Sequence, residues 1–170
     1  TNFLTWIVTD PEQVRKLIKC WLKTSIRYIK EIRKAVNYPE DKRGFTFASD
    51  VTGMISPEMY RDFIMESEKE LFDLFAPNPG DIRYYHADSH MLHHLDALKE
   101  LGVNHVNIDP YIEPKDILEK MPDVVIHGQI PPLKVLLCGK PEDVIECARR
   151  DIEQAGPGKH LVLTTAGSIN

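Results

Sequence analysis

Cysteine is scarce: Cys20, Cys138 and Cys147 are the only three, scattered and never in CxxC spacing. An odd, dispersed set supports neither a disulfide framework nor a cysteine knuckle, and its thiols are expected to stay reduced in a cytoplasmic setting. Positive charge is also short, with 21 Lys and Arg against 26 Asp and Glu and a formal net charge of −5. Without a basic footprint, no nucleic-acid partner is expected. No apolar run approaches the roughly 18 residues of a membrane span, and the first residues do not form a signal peptide, so no membrane partner is expected either. What is present, 28% charged and 42% hydrophobic residues over 170 positions, is enough for one globular domain, taken as residues 1–170. The chain opens at Thr1 in an apolar stretch, Phe3 to Val8, and ends just past another, so both ends read as cut from something longer.

The pattern alternates helix and strand. Asp10-Pro11-Glu12-Gln13 combines a capping side chain, a proline suited to the first helical position and a residue that can close a capping box. Val14, Leu17, Ile18, Trp21, Leu22, Ile29 and Ile32 then follow helical spacing. Ser56-Pro57-Glu58 starts a second helix in the same way, a third runs from about Met91 to Leu101 before Gly102, a short one spans Pro114 to Met121, and Pro141 opens the last, which stops at Gly156. Between them lie five short apolar or aromatic runs, 45–48, 82–85, 105–108, 123–126 and 160–163, read as strands. Strands separated by helices pair in parallel through crossovers, as either part of a barrel or an open doubly wound sheet. No glycine-rich phosphate loop follows any of the five, which favours the barrel.

In such proteins the working residues gather where strands end. Ser49 and Asp50 follow the first run, His86 and Asp88 the second, Asp109 the third, His127 and Gln129 the fourth, and Thr164 and Thr165 the fifth. Asp50 stands too far before the next helix to cap it, whereas Asp88 and Asp109 also suit capping or turn roles. His86, His90, His93 and His94 invite a metal reading, since His90 and His94 are four apart and would share a helix face. The glutamate of HExxH is absent, and a histidine-rich exposed helix face is the plainer expectation.

Ser56-Pro57-Glu58-Met59-Tyr60-Arg61-Asp62-Phe63, then His86-Ala87-Asp88-Ser89 followed by Leu98 to Val103 and Val106-Asn107-Ile108-Asp109, together with Gly128 to Pro132 and Lys140 to Val144, resemble in order the uroporphyrinogen decarboxylase superfamily. The resemblance covers nearly the whole chain. It implies a TIM-type (β/α)8 barrel of which this chain supplies about the last five strands, with open sheet edges covered by another segment or by a homo-oligomeric copy.

The superfamily implies two activities, and the chain departs from the pattern of each. Its decarboxylases carry a serine where Asp50 stands and a histidine near the Thr164 to Ser168 ending, neither of which is present. Its corrinoid-linked methyltransferases hold zinc through a His-x-Cys pair and a later cysteine. Here His86 matches the first ligand, Asp88 stands for the first cysteine, and Ala166 and Gly167 occupy the later region.

The leading expectation is a methyltransferase-like enzyme acting on a small molecule, with a corrinoid as methyl donor and a corrinoid protein as a possible partner. Asp50, His86 and Asp88 would be catalytic, Ser49, Asp109, Gln129 and Thr164 would bind substrate, and zinc would sit on His86 and Asp88. The alternatives are a divergent uroporphyrinogen decarboxylase, which needs no cofactor and holds a tetrapyrrole, and a non-catalytic barrel fragment serving in assembly.

Overall fold

The computed structural model describes residues 2–39, 44–158 and 160–167. Two helices lead, α1 (Asn2–Thr9) and α2 (Pro11–Ala35), and strand β1 (Gly44–Ala48) follows. Next come α3 (Pro57–Phe63), α4 (Met65–Phe75), β2 (Ile82–Ala87), α5 (Leu95–Glu100), β3 (His105–Ile108) and α6 (Pro114–Lys120). The chain continues through β4 (Val125–Ile130), α7 (Pro141–Ala155) and β5 (Leu161–Thr165).

The helix starts follow the sequence signals. Asp10 accepts a hydrogen bond from the Gln13 N–H at 3.2 Å, Ser56 accepts one from the Met59 N–H at 3.2 Å, and Pro11 and Pro57 each occupy an early helical position where no donor is needed. Gly156 closes α7 with φ near 70°, a conformation open to glycine at little cost.

All five strands pair in parallel, in the order β1-β2-β3-β4-β5. A doubly wound sheet reverses its strand order at a switch point; here each crossover adds the next strand on the same side, as in a barrel. The fold is therefore α/β of the TIM-barrel type, with five consecutive strands among the described residues. Among the described residues, β1 and β5 each have a strand partner on one side only.

The two faces of the sheet differ in kind. Tyr85, Ala87, Val106, Ile108 and Ile126 point to the helices and are fully buried, packed with Phe72, Leu95, Leu98 and Ile117. Burying each of the larger side chains contributes roughly 1.5–3 kcal/mol. The alternate residues Tyr84, His86, His105, Asn107 and His127 form the opposite, polar face, the one a barrel turns inward.

Several sequence expectations shift. The apolar opening is a helix, α1. The second predicted helix breaks at Ile64 into α3 and α4. Strands β2, β4 and β5 reach further than their apolar cores, so that His86, His127, Gln129, Thr164 and Thr165 lie within strands. Residues 132–137, between β4 and α7, form a π-helical stretch that no sequence signal marked.

The expected histidine face on a helix is not formed. Leu92–His94 is a 3-10 turn that His90 precedes, and α5 begins only at Leu95. His94, moreover, is buried rather than exposed, with its Nε2 3.1 Å from the Ile55 carbonyl. With no helix starting near residue 88, Asp88 is not a cap.

Candidate functional site on the polar sheet face

The polar face is built by strand alternation and organised by one amide. Asn107, only 6% exposed, stands between His86 of β2 and His127 of β4. Its Nδ2 donates to the His127 and Thr165 carbonyls. Its Oδ1 accepts from the Gly167 N–H at 2.8 Å and lies 2.9 Å from His86 Nδ1. On its other side, His86 Nε2 is 3.4 Å from Asp88 Oδ1, and the histidine side chain is 25% exposed.

Asp50 joins this group from β1's end, accepting the Asp88 N–H on Oδ1 at 2.7 Å. The three residues expected to be catalytic, Asp50, His86 and Asp88, are therefore brought together. Gly167 closes over them: with φ near 80°, a Cβ there would lie 2.6 Å from Asp88 Oδ1, so only glycine lets the backbone approach this closely.

Deeper along the same face, His105 Nδ1 is 2.9 Å from His127 Nε2, and the Tyr84 ring packs edge-on to His127. Burial lowers the pKa of both histidines, and His105 lowers that of His127 further, which favours the neutral form of each ring.

The four residues expected to bind substrate have separate placements. Ser49 accepts a hydrogen bond from the Thr52 hydroxyl at 3.0 Å, and its N–H donates to the His86 carbonyl. Asp109 is buried, binding the Tyr111 N–H through Oδ1 and facing the exposed His90 through Oδ2 at 2.6 Å. Gln129 is fully buried and donates through Nε2 to the Asp109 and Ile112 carbonyls, bracing the β3–α6 loop. Thr164 is exposed on the outermost strand.

Among the buried polar groups that sequence reasoning did not single out are Asn107, Asp151 and Glu68. Asn107 stands within β3, one residue short of the strand's carboxyl end. Asp151, on α7 and fully buried, accepts the Gln129 N–H and two donors of Arg150. Glu68, also fully buried, accepts the Tyr60 hydroxyl at 2.5 Å and the Tyr85 hydroxyl at 3.3 Å, and burial pushes its pKa up to about 8. The alternation of His105 and Asn107 with Val106 and Ile108 is the signal by which Asn107 could have been found.

Zinc needs three or four protein donors. Only His86 Nε2 and Asp88 Oδ1 converge here, and among the described residues no three histidine, cysteine or acidic side chains could hold a metal together. These residues do not by themselves fit zinc, and no step is derived through it.

Comparison with known proteins agrees with this fold. Residues 1–169 match the family described as uroporphyrinogen decarboxylase (URO-D). The chain is 23% identical over 170 residues to a uroporphyrinogen decarboxylase of Thermodesulfovibrio yellowstonii, covering 99% of this chain and 47% of that protein. It is 23% identical over 101 residues to the methylcobamide:CoM methyltransferase MtbA of Methanosarcina acetivorans, covering 59% of this chain and 29% of that protein. A solved methyltransferase from Methanosarcina mazei superposes with a TM-score of 0.74 at 16% identity, over 96% of this chain and 46% of that one. The chain thus spans less than half the length of each.

Proposed function

Starting from a chain that belongs to the uroporphyrinogen decarboxylase family, we propose that its polar sheet face serves a methyltransferase-like enzyme acting on a small molecule. His86 is the general base, and a methylated corrinoid, free or carried by a corrinoid protein, is the donor. The carrying observation is the set of contacts around His86: Asn107 Oδ1 on Nδ1, Asp88 on Nε2, and Asp50 holding the Asp88 backbone. This is the arrangement of an oriented acid–base group, with one ring nitrogen held and the other turned to the reacting side.

When an acceptor X–H takes the methyl group, the new X–C bond forms, the electron pair of the broken bond stays on the donor, and the proton passes to His86 Nε2. The imidazolium so formed lies beside the Asp88 carboxylate, which stabilises it. Asp50 keeps Asp88 in place, and Thr164, two residues beyond Val162, the strand partner of His127, borders the face on which substrate would lie. Ser49 instead bonds Thr52 beside the helix-side Tyr85.

The decarboxylase reading is less well supported. An anionic tetrapyrrole calls for guanidinium groups, yet Arg83, the one arginine in the described strands, is engaged with Asp73 and with the Ala76 and Leu101 carbonyls. The open β1 and β5 edges are expected to be covered by further chain or a second copy.

The test is a visible-absorbance titration of the purified protein with methylcobalamin and, separately, with a porphyrinogen analogue. Binding of methylcobalamin alone, with loss of its methyl group to an added thiol, supports the proposal. Binding of the porphyrinogen alone overturns it.

A further inference from the structure

A neutral histidine carries one ring proton, and its position decides which nitrogen can take another. In this chain that choice traces to an amide whose own orientation is forced. The Asn107 Nδ2 faces two backbone carbonyls, those of His127 and Thr165, which only accept. The Oδ1 faces the Gly167 N–H, which only donates. Turning the amide over would set its oxygen against two carbonyls and its nitrogen against an N–H, losing three hydrogen bonds in a site only 6% exposed. The oxygen therefore points at His86 Nδ1, 2.9 Å away, and the histidine nitrogen there must donate.

We propose that Asn107 is the positioning residue that holds neutral His86 in its Nδ1–H tautomer, leaving Nε2 as the basic atom beside Asp88. Without this amide, the 3.4 Å approach of Asp88 Oδ1 to Nε2 would favour the opposite tautomer, because an Nε2–H could donate to the carboxylate. Asn107 thus opposes the pull of Asp88 and keeps the base poised. The three backbone contacts tie this setting to the strand positions of β3 and β4 and to the turn after β5, so the tautomer depends on residues 165–167 lying across the sheet.

The inference deepens the acid–base role proposed for His86, and its readout needs no substrate. Long-range nitrogen–proton correlation NMR of the histidine-labelled protein, with the His86 signals identified by their loss in His86→Gln, reports the tautomer directly. Near neutral pH the wild-type ring is expected as Nδ1–H. Asn107→Ala should shift the ring to Nε2–H and lower kcat about 100-fold.

A wild-type His86 found as Nε2–H overturns the proposal without any variant, which covers the case in which substitution at this buried position prevents folding. Retention of Nδ1–H in a folded Asn107→Ala protein overturns it equally. An Nδ1–H ring in a protein that binds no corrinoid would leave the tautomer assignment standing and sink only the methyltransferase reading.

Discussion

The two faces of one sheet obey opposite rules. On the helix side, Tyr85, Val106, Ile108 and Ile126 are sealed from water, and a buried acid there, Glu68, is capped by two tyrosine hydroxyls and pushed toward its neutral form. On the other side, Tyr84, His86, His105 and His127 keep partial access to solvent, and the histidine rings are held by one another, by Asn107 and by Asp88. Burial decides the first face and hydrogen-bond geometry the second. Stability is therefore expected to reside mainly on the helix side, and chemistry on the polar side.

Breaking the helix face should give the largest effect on folding. Phe72→Ala empties a fully buried position and is expected to cost about 3–5 kcal/mol, read from the midpoint and slope of urea unfolding. A loss below about 1 kcal/mol would mean that this layer is not the core.

Glu68 gives the next largest effect, and its sign is fixed by linkage. Its folded pKa of about 8 lies above the ordinary 4.5, so the folded state holds a proton that the unfolded state releases between those values. Stability should therefore be highest below pH 4.5 as far as this group is concerned, and should fall by a few kcal/mol as pH rises to about 8. Glu68→Gln should flatten that slope in urea unfolding measured across the window; an unchanged slope would contradict the assignment.

Gly167→Ala sharpens the contrast from the other side. The added methyl runs into Asp88 and strains a φ near 80°, so a loss of about 1–2 kcal/mol is expected, with roughly a tenfold fall in turnover. Asp50→Ala removes one hydrogen bond, to the Asp88 N–H, and should cost only about 1 kcal/mol in folding while turnover falls more steeply than stability. Full turnover in this variant would remove Asp50 from the site.

How much of this was legible in the sequence follows the same division. Asp10-Pro11 and Ser56-Pro57 announce helices because their signals are local, and the apolar runs announce strands because burial on the helix side demands them. The cluster of Asp50, His86 and Asp88 could be anticipated from its place at neighbouring strand ends. Asn107 could not be singled out that way, since its importance comes from the Gly167 N–H and the Thr165 carbonyl, some 60 residues along the chain. Glu68 and Asp151 were missed for a related reason: on a helix, an acidic residue reads as solvated until the packing that buries it is known. The histidine run misled because spacing alone implied one helix, where a 3-10 turn in fact splits His90 from α5.

The most direct measurement of the account pairs two readings on His86→Gln: the urea midpoint, and the rate of methyl loss from methylcobalamin to a thiol followed by visible absorbance. The expected result is a folding change within about 0.5 kcal/mol, typical of a partly exposed position, with a fall in rate of roughly 100-fold or more. A rate equal to wild type in a folded variant would contradict the assignment of chemistry to this face.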